Sequence, residues 1–384
     1  MPLANPLKHA FGLDIGDRSF KLTQVSRSRN GGGHYRLTAW GSVDVPEGVM
    51  ERGEIVDPEK ATECLKRLLV RAKGRLRGRA TVGCLPEARS FVKVMEINQT
   101  ENLSAIQKEV AREIEQNIPL PTEEIYHDWQ SMGRLAPTER ADAAVPPEGE
   151  GDEKGMENGK MRIMLAAAPR KLVDGYVNMM EAAGLAPIAL EVEATAITRA
   201  MIPTDDATDE PIGILDIGAT RSSLIVCDRG AMRMSISIPL SGNELTEIIS
   251  ERLGINLTDA ERVKVECGLD AHRCEDRMWS ILLPLIDDMS NKIRNALRFY
   301  RIGFPDGKKI ERIALCGGGA NFRDIDTVLS RKLTIKARRG NALANVDRLP
   351  KGFSKDLSLT YATAIGLAIR AAEESRNFHR SFRI

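Results

Sequence analysis

Leu-Asp-Ile-Gly closes an apolar run at residues 13–16 and again at 215–218. Each copy puts an acid at the end of a short hydrophobic segment and a glycine at the start of a polar turn. The turn reads Asp17-Arg18-Ser19 in the first copy and Ala219-Thr220-Arg221-Ser222 in the second. Both turns lead back into apolar runs, 20–25 and 223–226. The pattern predicts two hairpins. Glycine allows a backbone conformation in which successive N–H groups face an anion. Two such turns facing each other would clamp a phosphate, with Asp14 and Asp216 able to hold a metal ion between them. A single copy reads as an aspartate starting a turn. Two copies in matching strand patterns point to a duplicated fold that closes on a ligand.

Two further groups could serve the same site. Gly317-Gly318-Gly319 falls between an apolar run, 310–315, and a predicted helix, 322–332. Consecutive glycines there let a flat or charged ligand approach the backbone and the helix N-terminus. Glu193 opens a short predicted helix. An acid suits that position on dipole grounds alone, and it could equally orient a water or a metal near a phosphate. Cys267, His272 and Cys274 match no usual zinc spacing, and no second cluster completes four ligands, so no zinc site is expected. The chain contains neither Gly-x-Ser-x-Gly nor a P-loop.

The bulk numbers narrow the function classes. With 384 residues, the chain can build two or more domains with real cores. A net charge of +1 and 4% aromatic residues argue against nucleic acid as a partner. The six cysteines form no Cys-x-x-Cys pair and read as reduced, buried thiols of a cytoplasmic protein. No apolar run is long enough for a membrane span, and residues 1–10 do not look like a signal peptide.

The elements that must position these residues can be read in order. Residues 10–45 alternate as three strands. Asp57-Pro58 starts a helix, with Asp as cap and Pro at the first helical position. Residues 90–192, with the acidic stretch 136–160 set aside as a disordered loop, read β-α-β-β-α-β, a split βαβ unit inserted into the first half. Strands at 212–217, 222–228 and 231–239 echo the opening of the chain. Helices follow at 243–253, 257–267 and 278–301. The last helix covers 361–372, and residues after it read as a frayed tail.

These motifs resemble the actin-like ATPase superfamily. The hairpin from Gly12 to Lys21, the hairpin Leu215 to Gly218 and the turn Gly317 to Gly319 look like its two phosphate motifs and its adenosine motif. More narrowly, the chain resembles the PilM family of type IV pilus assembly, relatives of FtsA. The segments carrying this are Gly53-Glu54-Ile55-Val56-Asp57, Glu113 to Pro119, Ala183-Gly184-Leu185 and Ala364 to Ala368. The fold class implied is α/β, a duplicated actin-like (ribonuclease H-like) ATPase fold with an inserted subdomain of the FtsA/PilM type. Its parts would be a first core subdomain (1–85, 193–205 and 356–384), the insert (86–192), a second core subdomain (206–250 and 305–355) and a helical part (251–304).

The resemblance implies ATP and Mg2+ in the cleft between the halves. Asp14, Gly16, Asp17, Arg18, Ser19, Lys21, Asp216, Gly218, Ala219, Thr220, Gly317, Gly318 and Gly319 would bind nucleotide. Asp14 and Asp216 would hold the metal, and Glu193 and Asp216 would be the catalytic pair. The implied partner is the cytoplasmic N-terminal peptide of a PilN-like membrane protein, alongside other inner-membrane pilus assembly proteins. Membrane contact would then be indirect, and a homo-oligomer is compatible with it. An FtsA-like filament-forming membrane tether and an actin-fold sugar kinase are the alternatives.

Two residues depart from the superfamily pattern. An acid at position 17 about 4 Å from a phosphate charge costs on the order of 4 kcal/mol at an effective dielectric near 20. Either Arg18 offsets that cost or Asp17 points outward. The second turn has one glycine, with Arg221 beside it. Nucleotide binding with slow hydrolysis is therefore expected, rather than fast turnover.

Overall fold

The computed structural model describes residue 5 and residues 7–28, 34–98, 102–134, 160–204, 210–270, 273–274, 277–305 and 307–381. The opening stretch folds into β1 (Phe11–Ile15), buried at every position, and β2 (Ser19–Arg27) and β3 (Tyr35–Asp44), where burial alternates in part. A two-residue pair, β4 (Met50–Glu51) and β5 (Glu54–Ile55), precedes α1 (Pro58–Arg71). Asp57 caps α1 by accepting the Lys60 N–H at 3.0 Å, as its sequence predicts. β6 (Lys73–Gly74) and β7 (Ala80–Leu85) follow.

The chain then leaves this body. β8 (Phe91–Asn98), α2 (Leu103–Asn117), β9 (Ile125–Arg134) and β10 (Lys160–Pro169) make a compact unit, Phe91–Arg170. Its antiparallel sheet runs β8-β10-β9. Its core joins Ile106, Val110 and Ile114 of α2 to Met95, Ile97, Ile125, Ile163 and Leu165 of the strands. The acidic stretch expected between β9 and β10 falls outside the described residues through position 159.

The other unit comprises Met1–Ser90 and Lys171–Ile384. It continues with α3 (Arg170–Ala182), β11 (Ala186–Val192) and α4 (Glu193–Met201). Its second half holds β12 (Ile212–Ile217), β13 (Ser222–Asp228), β14 (Ala231–Ile238), α5 (Gly242–Leu253), α6 (Leu257–Cys267) and α7 (Arg277–Gly303). Next come β15 (Arg312–Cys316), α8 (Ile325–Leu333), β16 (Lys336–Arg339), β17 (Val346–Arg348), α9 (Lys355–Leu359) and α10 (Ala362–Ser381).

Duplication is plain in the sheets. The larger reads β11-β7-β1-β2-β3-β17, with β6 also on β3, and the smaller reads β14-β13-β12-β15-β16. From β3 to β11 and from β14 to β16, the pairings run antiparallel, antiparallel, parallel, parallel in both. β11 is thus the counterpart of β16, and α3 that of α8. This corrects the insert boundary: α3 and β11 belong to the core, and the split βαβ unit loses its last helix and strand. β11 pairs in parallel with β7, a partner about a hundred residues back, which chain order conceals.

Two further expectations change. Cys267 and Cys274 form a disulfide, so they are not reduced thiols; Cys64, Cys84, Cys227 and Cys316 are free and buried. His272 lies outside the described residues. The last helix also runs to Ser381, well past the expected frayed end. Part of the reason is an ion-pair net: Glu191 takes Arg199 at 2.7 Å and Arg370 at 2.7 Å, and Arg370 also holds Glu374 at 2.8 Å.

Candidate functional site

The two repeated turns have one geometry. Gly16 N–H donates to the Ser19 carbonyl at 3.2 Å, and Gly218 N–H donates to the Arg221 carbonyl at 2.9 Å. The second turn is also seated on a helix. The first N–H groups of α5 donate to it, Gly242 to the Gly218 carbonyl at 3.0 Å and Asn243 to the Ala219 carbonyl at 2.8 Å. Lys264 of α6 fixes that helix start from behind, donating to the Gly242 carbonyl and to Thr246, both at 2.8 Å.

Each acid stands at the end of its strand with a thiol behind it. Cys84 of β7 donates to Asp14 Oδ1 at 3.6 Å, and Cys316 of β15 donates to Asp216 Oδ1 at 3.6 Å. β7 and β15 are the parallel neighbours of β1 and β12, so the thiols are counterparts. Burial pushes both thiols well above their usual range, and the facing aspartate adds to it, so they act as proton donors. Lys21 stands opposite Asp14 across the hairpin and pairs with it at 3.6 Å.

The glycine triplet packs on the second hairpin. A Cβ on Gly317, where φ is +79°, would lie 2.4 Å from Asp216 Oδ1, and one on Gly319 would lie 2.2 Å from Ile217 Cγ2. A Cβ on Gly318 would meet nothing within 4 Å, so its backbone is the open part of the triplet.

Glu193 heads α4 beside Asp14. Its carboxylate, an Asp14 oxygen and the Cys84 sulfur all lie within 4.8 Å of one another, while Asp216 is outside that set. Burial raises Glu193 to about 8, with Arg221 opposing and Asp14 adding to the rise. Asp216 is raised to about 6 by burial and by the charge of Asp14. Glu193 and Asp216 nonetheless keep part of their surface open to solvent, as groups walled in along a cleft do. Carboxylate oxygens at this spacing are the hard donors that Mg2+ takes; Asp14 meets the Cys84 thiol through Oδ1 and Lys21 through Oδ2.

Two polar residues join the set beyond those its motifs single out, Arg221 and Glu87, and Tyr176 braces the surroundings rather than the turns themselves. Arg221 reaches from the second turn toward Glu193 and Asp17, whose charges outweigh its burial and keep its pKa above the usual value. Glu87, in the turn after β7, accepts from Ser235 of β14, and burial raises its pKa. Tyr176 of α3 donates to the Gly53 carbonyl at 2.8 Å.

Asp17 is buried and turned onto the second turn and the β4–β5 tip. Its Oδ1 accepts the Gly53 N–H at 2.7 Å and its Oδ2 accepts the Thr220 hydroxyl at 2.9 Å, with Arg221 at 4.0 Å. Arg18 is exposed, so neither an Arg18 counter-charge nor an outward-pointing Asp17 accounts for the departure in the first turn: the buried Asp17 carboxylate is met by Gly53, Thr220 and Arg221. Asp14, Gly16, Ser19, Lys21, Asp216, Gly218, Ala219, Thr220 and the glycine triplet all lie in the same unit as Glu193.

A family model described as type IV pilus assembly protein PilM matches residues 12–145 and 152–372. The chain belongs to the PilM family. Among solved structures, the PilM-PilN type IV pilus biogenesis complex aligns with a TM-score of 0.75 at 26% identity, covering 95% of this chain and 98% of that one. MreB5 of Spiroplasma citri bound to ADP aligns with a TM-score of 0.53 at 14% identity, covering 96% of this chain and 98% of that one, a likeness of fold. The cell division protein FtsA of Neisseria meningitidis serogroup B is 24% identical over 240 residues, 56% of this chain and 56% of its own length. FtsA of Escherichia coli strain K12 is 24% identical over 268 residues, 69% of this chain and 62% of its own length. The chain thus spans between about half and two thirds of these division proteins. The PilM fold is α/β and actin-like, as its motifs predict. Among the described residues no helix is long and apolar enough to cross a membrane.

Proposed function

We propose that the chain is a nucleotide-binding scaffold of type IV pilus assembly, taking ATP with Mg2+ between its halves and the cytoplasmic N-terminal peptide of a PilN-like membrane protein. The observation that carries the nucleotide reading is the pair of equivalent turns, Gly16 to Ser19 and Gly218 to Arg221, each with an aspartate at its strand end. The peptide reading rests on the family and on the likeness to the PilM-PilN complex. Location at the inner membrane through such a partner follows from the same reading.

Backbone N–H groups of the two turns bind phosphate, and Gly318 gives the nucleotide an open stretch of backbone. Asp14 and Asp216 are the residues that would hold Mg2+, which would supply positive charge against the phosphates. Glu193 is the group placed to take a proton from an attacking water. Burial pushes its carboxyl up to about 8, and a bound divalent cation would favour the charged, proton-accepting form. ATP favours the closed arrangement of the halves by binding it better than the open one.

Asp216→Ala tests this reading. Loss of the carboxylate should weaken ATP binding by about tenfold or more, read by calorimetry on the full chain. Unchanged affinity would sink the metal-and-phosphate role.

A further inference from the structure

The segment Gly53 to Asp57 carries no ligand group of the cleft, yet its first residue is held on both sides. Its N–H goes to Asp17 and its carbonyl takes the Tyr176 hydroxyl. Gly53 has φ +80°, and a Cβ there would lie 2.5 Å from Pro86, so the position admits only glycine and the hairpin tip sits hard against the turn after β7. That turn is tied to the same tip a second time. Arg89 donates to the Arg52 carbonyl at 3.2 Å and pairs with Glu54 at 3.0 Å.

These partners share a place in the chain. Pro86 and Arg89 lie in the stretch that leads out to residues 91–170, and Tyr176 lies in α3, the helix by which the chain returns. The β4–β5 hairpin therefore braces both connections of the inserted unit. Asp17 joins that brace to the second phosphate turn through the Thr220 hydroxyl. This hydroxyl has one proton. It goes to Asp17 or to a phosphate oxygen seated in the turn, and Arg221 at 4.0 Å stands ready to replace it on Asp17.

We infer that Asp17 is a positioning residue, which carries the state of the second phosphate turn through Gly53 and Tyr176 to both connections of residues 91–170. The inference rests on the nucleotide reading above and goes beyond it by naming the path. When phosphate takes the Thr220 proton, Asp17 re-pairs and the Gly53 peptide shifts with it. α3 and the turn at 86–90 then change how firmly they hold the chain entering and leaving the insert.

Amide hydrogen exchange on the full chain, with and without Mg·ATP, tests it. In the wild type, ATP should change exchange in two segments, residues 50–57 and residues 171–182, and also in the turn at 86–90 that packs on the first. Tyr176→Phe should bind ATP within about threefold of wild type and keep the response at 50–57. It should lose at least about half of the response at 171–182. Asp17→Asn still accepts the Gly53 N–H but offers Thr220 an N–H in place of an acceptor oxygen, and should lose the response in both segments. Arg89→Ala, on the surface, is the variant to use if Tyr176→Phe misfolds; it should reduce the response of residues 86–90 alone. ATP binding by the wild type with no change in either segment overturns the inference and leaves the nucleotide reading standing. A full response at 171–182 in Tyr176→Phe, or in both segments in Asp17→Asn, overturns it as well. Failure of the wild type to bind ATP overturns both.

Discussion

Glu193 is the residue whose protonation decides most. Its pKa is about 8 in the folded protein, against an ordinary value of 4.5. Between those two pH values the unfolded chain has released the proton and the folded chain has kept it. Wild-type stability therefore falls as pH rises from about 4.5 to about 8, then levels. Glutamine does not titrate, so the stability advantage of Glu193→Gln should grow across that window and stop growing above it. Urea midpoints at about pH 5, 7 and 9 check this; a constant difference would place Glu193 in open solvent. Among the described residues, the carboxyl groups of Asp14, Asp17, Glu87, Glu193 and Asp216 outnumber the cations that face them, Lys21 and Arg221. Free ATP meets that field as an anion, so chelating Mg2+ should weaken ATP binding by about tenfold or more, measured by titration with and without EDTA. Asp14, Asp216 and their turns were legible because the pattern repeats within the chain. Cys84, Cys316 and Glu87 were not, since each reaches the site from an element distant in sequence, and no local spacing records a pairing between strands.

The strands and capped helices were legible where hydrophobic period and turn chemistry agree, as at β1 to β3 and at Asp57-Pro58. Two-residue strands such as β4 and β5 leave no period to read, although β4–β5 turns out to brace two connections. Ala364 to Ala368 shows what a run of small residues does as an element. A Cβ on Gly366 of α10 would lie 1.8 Å from the Ala196 carbonyl of α4, and one on Gly12 of β1 would lie 2.4 Å from the Ala368 nitrogen. Helix α10 is thus pressed between α4 and β1 with no room for a methyl group. Gly366→Ala should force these elements apart and cost about 1–3 kcal/mol, read as a drop in the denaturant midpoint at unchanged slope. A change below about 0.5 kcal/mol would mean the crossing is loose.

At the scale of the molecule, chain order misled at one point: residues 171–192 follow the insert directly, so the helix and strand there look like its continuation. The repeated sheet order assigns them to the core. That order has a consequence for how the protein is made. Residues 212–339 supply every strand of the smaller sheet in one stretch, whereas the larger sheet needs β1 at the start of the chain and packs on α10 near the end. During synthesis the second half can assemble while the first half waits, its β1 face exposed, until residues 362–381 have left the ribosome. A chain cut after position 354 should keep protease-resistant fragments from 212–339 and lose protection over 11–85; equal resistance of the two would mean that α10 is not needed to complete the first half. The half that offers Asp14 then becomes competent after the half that offers Asp216.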